Sequence, residues 1–331
     1  MTCWLWRGVS FVFMTLAAFP VPASAAERYA LIVSGASGGD KYAENQKKWL
    51  ASLESTLRQQ LAFTGDRLVI LSEDAAQTNS ATRDNVTRAL TTLRQRVMAD
   101  DVLLVLLIGH GTFDGQSAKF NLTGPDMSAE EWKKLLEGIP GRLVFVNTTS
   151  SSFPFIEELS GKNRVIISAT DTTAQKYDTV FPEYFIQGLA EVSADNDKNG
   201  RLSVFEAFSY ANQAVKQYYD KQGQLATERS LIDDNGVTIN VNAPAQAAGA
   251  GPKPAPPPTA VLARTTYLDP EPGSTTTDPV LAALQKQKAS LEAQIEALKI
   301  RKGELTQEQY DAELERLAIE LARVTAKIGG R

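Results

Sequence analysis

The only histidine of the chain, His110, follows an apolar run at 103–108 and lies between Gly109 and Gly111. Imidazole exchanges protons near neutral pH, so His110 is a candidate general base. A second apolar run, 142–147, is followed by five hydroxyl residues at 148–152. A hydroxyl group can act as a nucleophile when a neighbouring base removes its proton. The pattern therefore indicates hydrolytic chemistry if the fold brings the two segments together.

A second candidate site is the twelve-residue segment 195–206, whose sequence is DNDKNGRLSVFE. Its spacing fits an EF-hand calcium loop, with Gly200 at the sharp turn of position six. The oxygen donors at positions one, three, five, seven, nine and twelve are Asp195, Asp197, Asn199, Arg201 through its main-chain carbonyl, Ser203 and Glu206. The segment therefore predicts a Ca²⁺ cofactor; the alternative is a polar loop without an ion.

The flanks of the calcium loop agree with this prediction. Residues 182–190 are predicted to form the incoming helix and residues 204–219 the outgoing helix. EF-hands that sense calcium usually occur in pairs, and the sequence contains no second complete loop. We therefore expect a single site that stabilises the fold. An exported protein would meet enough calcium to keep even a weak site filled.

The first 26 residues have the pattern of an export signal. Arg7 precedes an apolar run at 8–19, and Ala23-Ser24-Ala25 form a small-residue cleavage pattern. We expect a signal peptide over 1–26 and a periplasmic or extracellular location; the alternative is an uncleaved anchor. Because Cys3, the only cysteine, lies in this segment, the processed chain would have neither disulfides nor thiol chemistry.

Charge and hydropathy argue against two classes of partner. The chain has 34 basic and 39 acidic residues, a net charge of -5, which gives no electrostatic reason to expect nucleic acid binding. After the signal, no segment is long and apolar enough to cross a membrane.

The central part, 27–240, predicts an α/β domain. Apolar strands are expected at 28–34, 67–72, 101–108, 142–147 and 164–169, and the helices between them at about 41–61, 81–98 and 128–137. Near-continuous apolar strands that alternate with amphipathic helices indicate a mostly parallel sheet covered by helices on both faces. Functional groups collect beyond the carboxyl ends of such strands, where His110 and the hydroxyl run both lie.

The strand that leads into Gly-His-Gly, together with the strand that leads into the hydroxyl run, resembles the caspase and legumain (hemoglobinase) clan of cysteine peptidases. The order of elements over 27–220 agrees, and the legumain-like branch is closer. The resemblance implies that His110 matches the catalytic base, Gly111 a donor of the oxyanion hole, and Thr149 the position of the nucleophilic cysteine. The sequence departs from the clan at that position, because it has no cysteine there.

The missing thiol leaves three interpretations open. A hydroxyl is far less acidic than a thiol and needs a base oriented by a third group. The sequence does not identify that group, although Asp114 and Asp126 follow His110. We expect a non-catalytic pseudopeptidase that binds a peptide or protein partner. The alternatives are an active hydrolase that uses Thr149 or a nearby serine with His110, and a regulator whose calcium loop controls the crevice.

Two further segments follow the α/β domain. Residues 241–278 are rich in Ala, Pro, Gly and Thr, which predicts an extended linker, and the apolar pair Tyr267-Leu268 is expected to anchor it to the domain. Residues 279–329 show heptad spacing in two blocks separated by Gly303 and Thr306. This spacing predicts a helical hairpin or coiled coil, either folded back within one chain or self-associating between copies.

Overall fold

A computed structural model of the chain describes residues 26–240, 260–274 and 276–330. Apart from Ala26, the expected signal peptide lies outside these residues, so its assignment stays a prediction. Within the described ranges, the helices are all too short or too polar to cross a membrane.

The core of the molecule is a seven-stranded sheet. The strands of the chain are β1 (Arg28–Ser34), β2 (Leu68–Ser72), β3 (Val102–Ile108), β4 (Gly111–Phe113), β5 (Ala118–Phe120), β6 (Met127–Ser128), β7 (Arg142–Asn147), β8 (Arg164–Ser168), β9 (Leu231–Asp234) and β10 (Val237–Ile239). The order in the sheet is β10-β9-β8-β7-β3-β1-β2. The five strands from β2 to β8 in this order are parallel, and β9 and β10 add an antiparallel edge.

Helices cover both faces of this sheet. The helices are α1 (Asp40–Ser55), α2 (Arg83–Arg96), α3 (Ala129–Leu136), α4 (Phe153–Leu159), α5 (Phe181–Ala190), α6 (Val204–Lys221), α7 (Val261–Arg264), α8 (Pro279–Ile300) and α9 (Gln307–Gly329). Alternate residues of the central strands enter two separate apolar clusters. One cluster contains α1, α5 and α6, and the other contains α2, α3 and α4. The predicted α/β fold, mostly parallel and covered on both faces, is confirmed.

Several short elements were not expected from the sequence. Strands β4 to β6 form a small antiparallel sheet after His110. The end of the first predicted helix is a π-helical turn, Thr56–Gln60, which allows Leu57 and Leu61 to stay buried. Strands of two to four residues carry too little periodicity to be recognised from the sequence.

The second half of the expected linker is not extended. Residues 260–269, here called the strap, contain α7 and pack on the sheet, with Ala263 and Leu268 fully buried. Residues 241–259 lie outside the described part. The extended-linker prediction for 241–278 is therefore wrong for the strap, because Ala263 and Leu268 complete one of the two apolar clusters. The expectation that Tyr267-Leu268 anchors the segment agrees with this packing.

The C-terminal helices α8 and α9 pack against each other as a hairpin. Their shared seam buries Leu291, Leu298, Tyr310, Leu317 and Val324. The heptad positions are thus covered by the second helix of the same chain. A hairpin folded back within one chain therefore accounts for the buried seam without a second copy. Self-association stays a prediction.

Candidate functional site

The two polar strand ends identified from the sequence meet at one edge of the sheet. Strands β3 and β7 are parallel neighbours, with Leu107 opposite Asn147. Immediately beyond them, Gly111 lies against the hydroxyl run. A Cβ atom at this position would collide with the carbonyl oxygen of Ser150 and come within 2.5 Å of Oγ1 of Thr149. The structure therefore brings Gly111 and Thr149 together, and a side chain at 111 would not fit.

Both ring nitrogens of His110 face acceptors other than Thr149. Nε2 lies 2.7 Å from the carbonyl oxygen of Ser37, and Nδ1 lies 2.9 Å from Oδ1 of Asp178. The ring also packs edge-on against Tyr42, with centroids 4.9 Å apart. A carbonyl oxygen only accepts, so Nε2 donates to Ser37 and its lone pair is not directed at Thr149. In this arrangement His110 makes no hydrogen bond to the proposed nucleophile.

The acidic partner of His110 is Asp178, which lies in the loop after β8. Of the two carboxylates that follow His110 in sequence, Asp114 bonds Lys119 and its own turn, and Asp126 caps the N–H group of Leu122. The negative charge of Asp178 also raises the pKa of the neighbouring Tyr42 phenol. Asp178 thus holds His110 and Tyr42 in one cluster.

Thr149 is fully buried and bonded within its own turn. Its Oγ1 donates to Oδ1 of Asn147 at 2.7 Å, and the same oxygen accepts from the N–H group of Thr149. The hydroxyl proton that a base would have to remove is therefore hydrogen-bonded to Asn147. The sequence-based prediction that Thr149 faces His110 is not met by these hydrogen bonds.

The other hydroxyl groups of the run hold neighbouring segments in place. Thr148 donates to the carbonyl of Leu107, and Ser150 donates to the carbonyl of Gly111. Ser151 and Ser152 reach the loops at Gln175 and Thr170. All five residues of the run are at most 4% exposed. Their hydroxyls therefore serve the architecture of the sheet edge.

A cleft of about 330 Å³ opens beside His110. The rings of Tyr42, Trp49 and Tyr218 form much of its wall, and Gln46 on α1 also lines it. Gln46 as a whole is only 5% exposed. Its side-chain amide carries both a donor and an acceptor, which a ligand in the cleft could bond.

A buried carboxylate supports the loop that carries Asp178. Oε2 of Glu228 accepts from the N–H group of Val180 at 2.9 Å, next to the start of α5. Glu228 is only 2% exposed, and Oε1 has no partner among the described residues. Burial raises the pKa of Glu228 to about 7. Its hydrogen bonds lower that pKa, but burial is the larger effect.

The predicted calcium ligands form a second cluster. Carboxylate oxygens of Asp195, Asp197 and Glu206 lie within 4.8 Å of one another. Gly200 has a φ of 83°, as the turn at position six requires, and Lys198 at position four also has a positive φ. The Asn199 side chain bonds Asp197 and the N–H group of Arg201. Three of the six predicted ligands thus bring carboxylate oxygens to a common centre.

The donor chemistry of this loop fits a hard divalent cation. Three close carboxylates repel one another in the absence of a positive charge. Partial desolvation of Asp197, followed by the charges of Glu206 and Asp195, raises the pKa of its carboxyl group. Glu206 also forms a capping box with Ser203 at the start of α6, which fixes the orientation of both side chains. A calcium ion would relieve the repulsion and complete the set of oxygen ligands.

Comparisons with known proteins show only a distant likeness. No family model matches the chain, and no curated protein matches it. Among solved structures, the chain is similar to the crystal structure of protein GSU0716 from Geobacter sulfurreducens, at 13% sequence identity and a TM-score of 0.39. The likeness covers 57% of this chain and 89% of that chain.

Three residues near His110 were not identified from the sequence, namely Ser37, Gln46 and Asp178, and Tyr267 was expected as an anchor but not as a neighbour of the calcium loop. Ser37 could have been found, because it closely follows β1 at the same carboxyl edge as His110. Asp178 lies in the long loop after β8, where the sequence has no periodic signal. Gln46 lies on a helix with no local signal for a buried amide. Tyr267 reaches the calcium loop from a segment that is distant in sequence.

Proposed function

We propose that this protein is an exported, calcium-binding relative of the caspase and legumain clan that acts by binding and not by catalysis. The observation that carries the proposal is the pairing at the sheet edge. The ring nitrogens of His110 contact Ser37 and Asp178, whereas Thr149 donates to Asn147. A nucleophile and its base must share a hydrogen bond, or one water, to react. These contacts favour an active site that no longer catalyses a reaction.

The cleft beside His110 is the proposed binding surface, and its occupant is an extended peptide segment of a protein partner. Aromatic walls at Trp49 and Tyr218 favour contact with side chains. The amide of Gln46 can both donate to and accept from a peptide group. A peptide in the cleft could therefore bond Gln46 and cover the half-buried aromatic rings.

Calcium is proposed as a structural ion of loop 195–206. The ligands would be the side chains of Asp195, Asp197, Asn199 and Glu206, the main-chain carbonyl of Arg201, and Ser203 through water. The loop connects α5 to α6, so an ion there would hold the two helices together. Calorimetric titration of the chain with Ca²⁺ tests this proposal, with Asp195→Asn as the variant expected to lose binding.

An active hydrolase is the second candidate, and one observation favours it. Asp178 orients the imidazole of His110 at 2.9 Å, as the third member of a catalytic triad would. Catalysis would require Nε2 to leave Ser37 and Thr149 to leave Asn147. The hydrolase therefore needs a rearrangement that the binding protein does not need.

Incubation with a diverse peptide library separates the two candidates. The chain, with and without Ca²⁺, is mixed with the library, and products are read by mass spectrometry beside the His110→Ala variant. We expect no cleavage above that variant. Cleavage by the wild type that His110→Ala abolishes would establish the hydrolase and reject the proposal.

Binding to the same library tests the cleft. Peptides retained by immobilised wild-type protein are compared with those retained by Trp49→Ala, and by Met98→Ala as the control. Met98 is exposed before β3, at the opposite edge of the sheet. We expect Trp49→Ala to lose retention and Met98→Ala to keep it. Equal retention by both variants would place the partner surface elsewhere.

A further inference from the structure

The strap lies directly against the calcium loop and pairs with it through the main chain. Ser203, at position nine of the loop, forms an antiparallel bridge with Tyr267. The N–H group of Val204 donates to the carbonyl of Thr266 at 2.9 Å. The loop therefore has a strand partner, although the chain contains no second calcium loop to supply one.

The side chain of Arg201 strengthens this contact at position seven. Its guanidinium makes two hydrogen bonds of 2.9 Å to the carboxylate of Asp269. It also lies over the ring of Tyr267, 3.9 Å from the centroid. Bidentate pairing and stacking both fix a planar guanidinium. Because the main-chain carbonyl of Arg201 is a predicted ligand, the strap fixes a ligand-bearing residue from outside the motif.

The strap is itself bonded to the amino ends of the central strands. Arg28, at the start of β1, donates to the carbonyl of Leu268. Arg142, at the start of β7, donates to the carbonyl of Thr265 and to the hydroxyl oxygen of Thr266. Asp234 accepts from two N–H groups at the start of α7. The strap therefore connects the loop to the sheet and to the helical hairpin that follows.

We infer that Tyr267 and Asp269 are positioning residues of the calcium site, so that calcium binding and strap docking stabilise each other. This inference rests on the proposed calcium function. A docked strap holds positions seven and nine of the loop in place before the ion arrives, which lowers the ordering cost of binding. Linkage requires the reverse effect to be equal, so bound calcium strengthens strap docking by the same factor.

The test is a titration of the full chain with Ca²⁺ by isothermal calorimetry. Asp269→Asn removes the negative charge and one of the two oxygens that accept from Arg201, without altering any predicted ligand. Glu271→Gln removes one negative charge from the same region but leaves the Arg201 contacts in place. Couplings between sites are typically about 5- to 150-fold. We expect Asp269→Asn to weaken calcium affinity at least about fivefold and Glu271→Gln to change it less than about twofold.

Hydrogen exchange on the wild-type chain gives a readout that does not depend on a variant. We expect Ca²⁺ to slow exchange of the amides at 265–269 by at least about fivefold, the same coupling seen from the strap. Equal affinities for the wild type and Asp269→Asn, together with unchanged strap exchange, would overturn the coupling alone. A wild-type chain that takes up no Ca²⁺ would overturn both the coupling and the calcium proposal.

Discussion

At the scale of single residues, the chemistry of the sheet edge depends on which acceptor each donor finds. His110 has a carboxylate neighbour, and both of its ring nitrogens contact groups of the protein other than Thr149. The hydroxyl of Thr149 donates to Asn147. Residue types alone indicated a base and a nucleophile, but they did not indicate these partners.

Gly111 illustrates how closely the edge is packed. Replacing it with alanine would force the new methyl group against Ser150 and Thr149. We expect Gly111→Ala to lower the free energy of unfolding by about 1–3 kcal/mol, the usual cost of overpacking. Urea denaturation measures the change. In the control Gly161→Ala, the new methyl group meets its first neighbour, Arg164, at an ordinary 3.7 Å. Equal losses in both variants would contradict the close approach at 111.

Glu228 gives the fold a pH dependence near neutrality. Since burial raises its folded-state pKa from the ordinary value of 4.5 to about 7, the folded chain binds the proton more tightly than the unfolded chain. Stability therefore falls as pH rises from 4.5 through 7, by roughly 3 kcal/mol for this group. We expect Glu228→Gln to reduce that slope in denaturation series between pH 5 and about pH 8. A variant with the wild-type slope would assign the pH dependence to another group.

At the scale of elements, apolar patterning predicted the central strands of the sheet. The strands at 28–34 and 142–147 were predicted with their observed ends, and the other three parallel strands within one residue, because their near-continuous apolar runs have few alternatives. The β9–β10 hairpin was missed, since its buried acidic pair at 233–234 does not look like a strand. Asp178 was missed as a partner because a loop carries no periodicity. Its pairing with His110 depends on tertiary structure.

The capping box at the start of α3 was predicted from sequence and is present in full. Oγ of Ser128 accepts from the N–H group of Glu131, and the Glu131 side chain accepts from the N–H group of Ser128. We expect Ser128→Ala to destabilise the protein by about 1 kcal/mol, since the loss leaves a helix donor without its acceptor. Thermal denaturation measures it. The control Ser55→Ala replaces an exposed serine within a helix and should change the free energy of unfolding by at most about 0.5 kcal/mol. If the control lost as much stability as Ser128→Ala, the loss in Ser128→Ala could not be attributed to the helix cap.

At the scale of the whole molecule, the two proposed sites lie at opposite ends of the α5–α6 pair. The cleft is bordered by Val180 and Tyr218, whereas the calcium loop joins the end of α5 to the start of α6. At 1.5 Å per residue, the segment of α6 from 204 to 218 spans about 21 Å. The calcium loop does not border the cleft among the described residues. Direct control of the crevice by calcium is therefore the least supported of the three interpretations.

The strap and the helical hairpin contribute differently to the sheet domain. The strap buries Ala263 and Leu268 in the core. Ion pairs that link the hairpin to this region are partly exposed, at 3.6 Å between Arg264 and Glu296 and at 3.7 Å between Lys286 and Glu271. Exposed pairs of this kind contribute at most about 1 kcal/mol each. Most of the stabilisation from the C-terminal region is therefore expected to come from the strap.

Two truncations separate these contributions. A chain that ends at residue 278 should unfold within about 2 kcal/mol of the full chain, because both ion pairs that it loses are partly exposed. A chain that ends at residue 240 should have a free energy of unfolding lower by at least about 2 kcal/mol more, because the burial of Leu268 alone contributes about that amount. Fluorescence in a urea titration reports on the sheet domain, because Trp49 and Trp132 lie there and residues 241–331 contain no tryptophan. Equal unfolding midpoints for the two truncated chains would mean that the strap contributes nothing to the domain, and its buried contacts would then need another explanation.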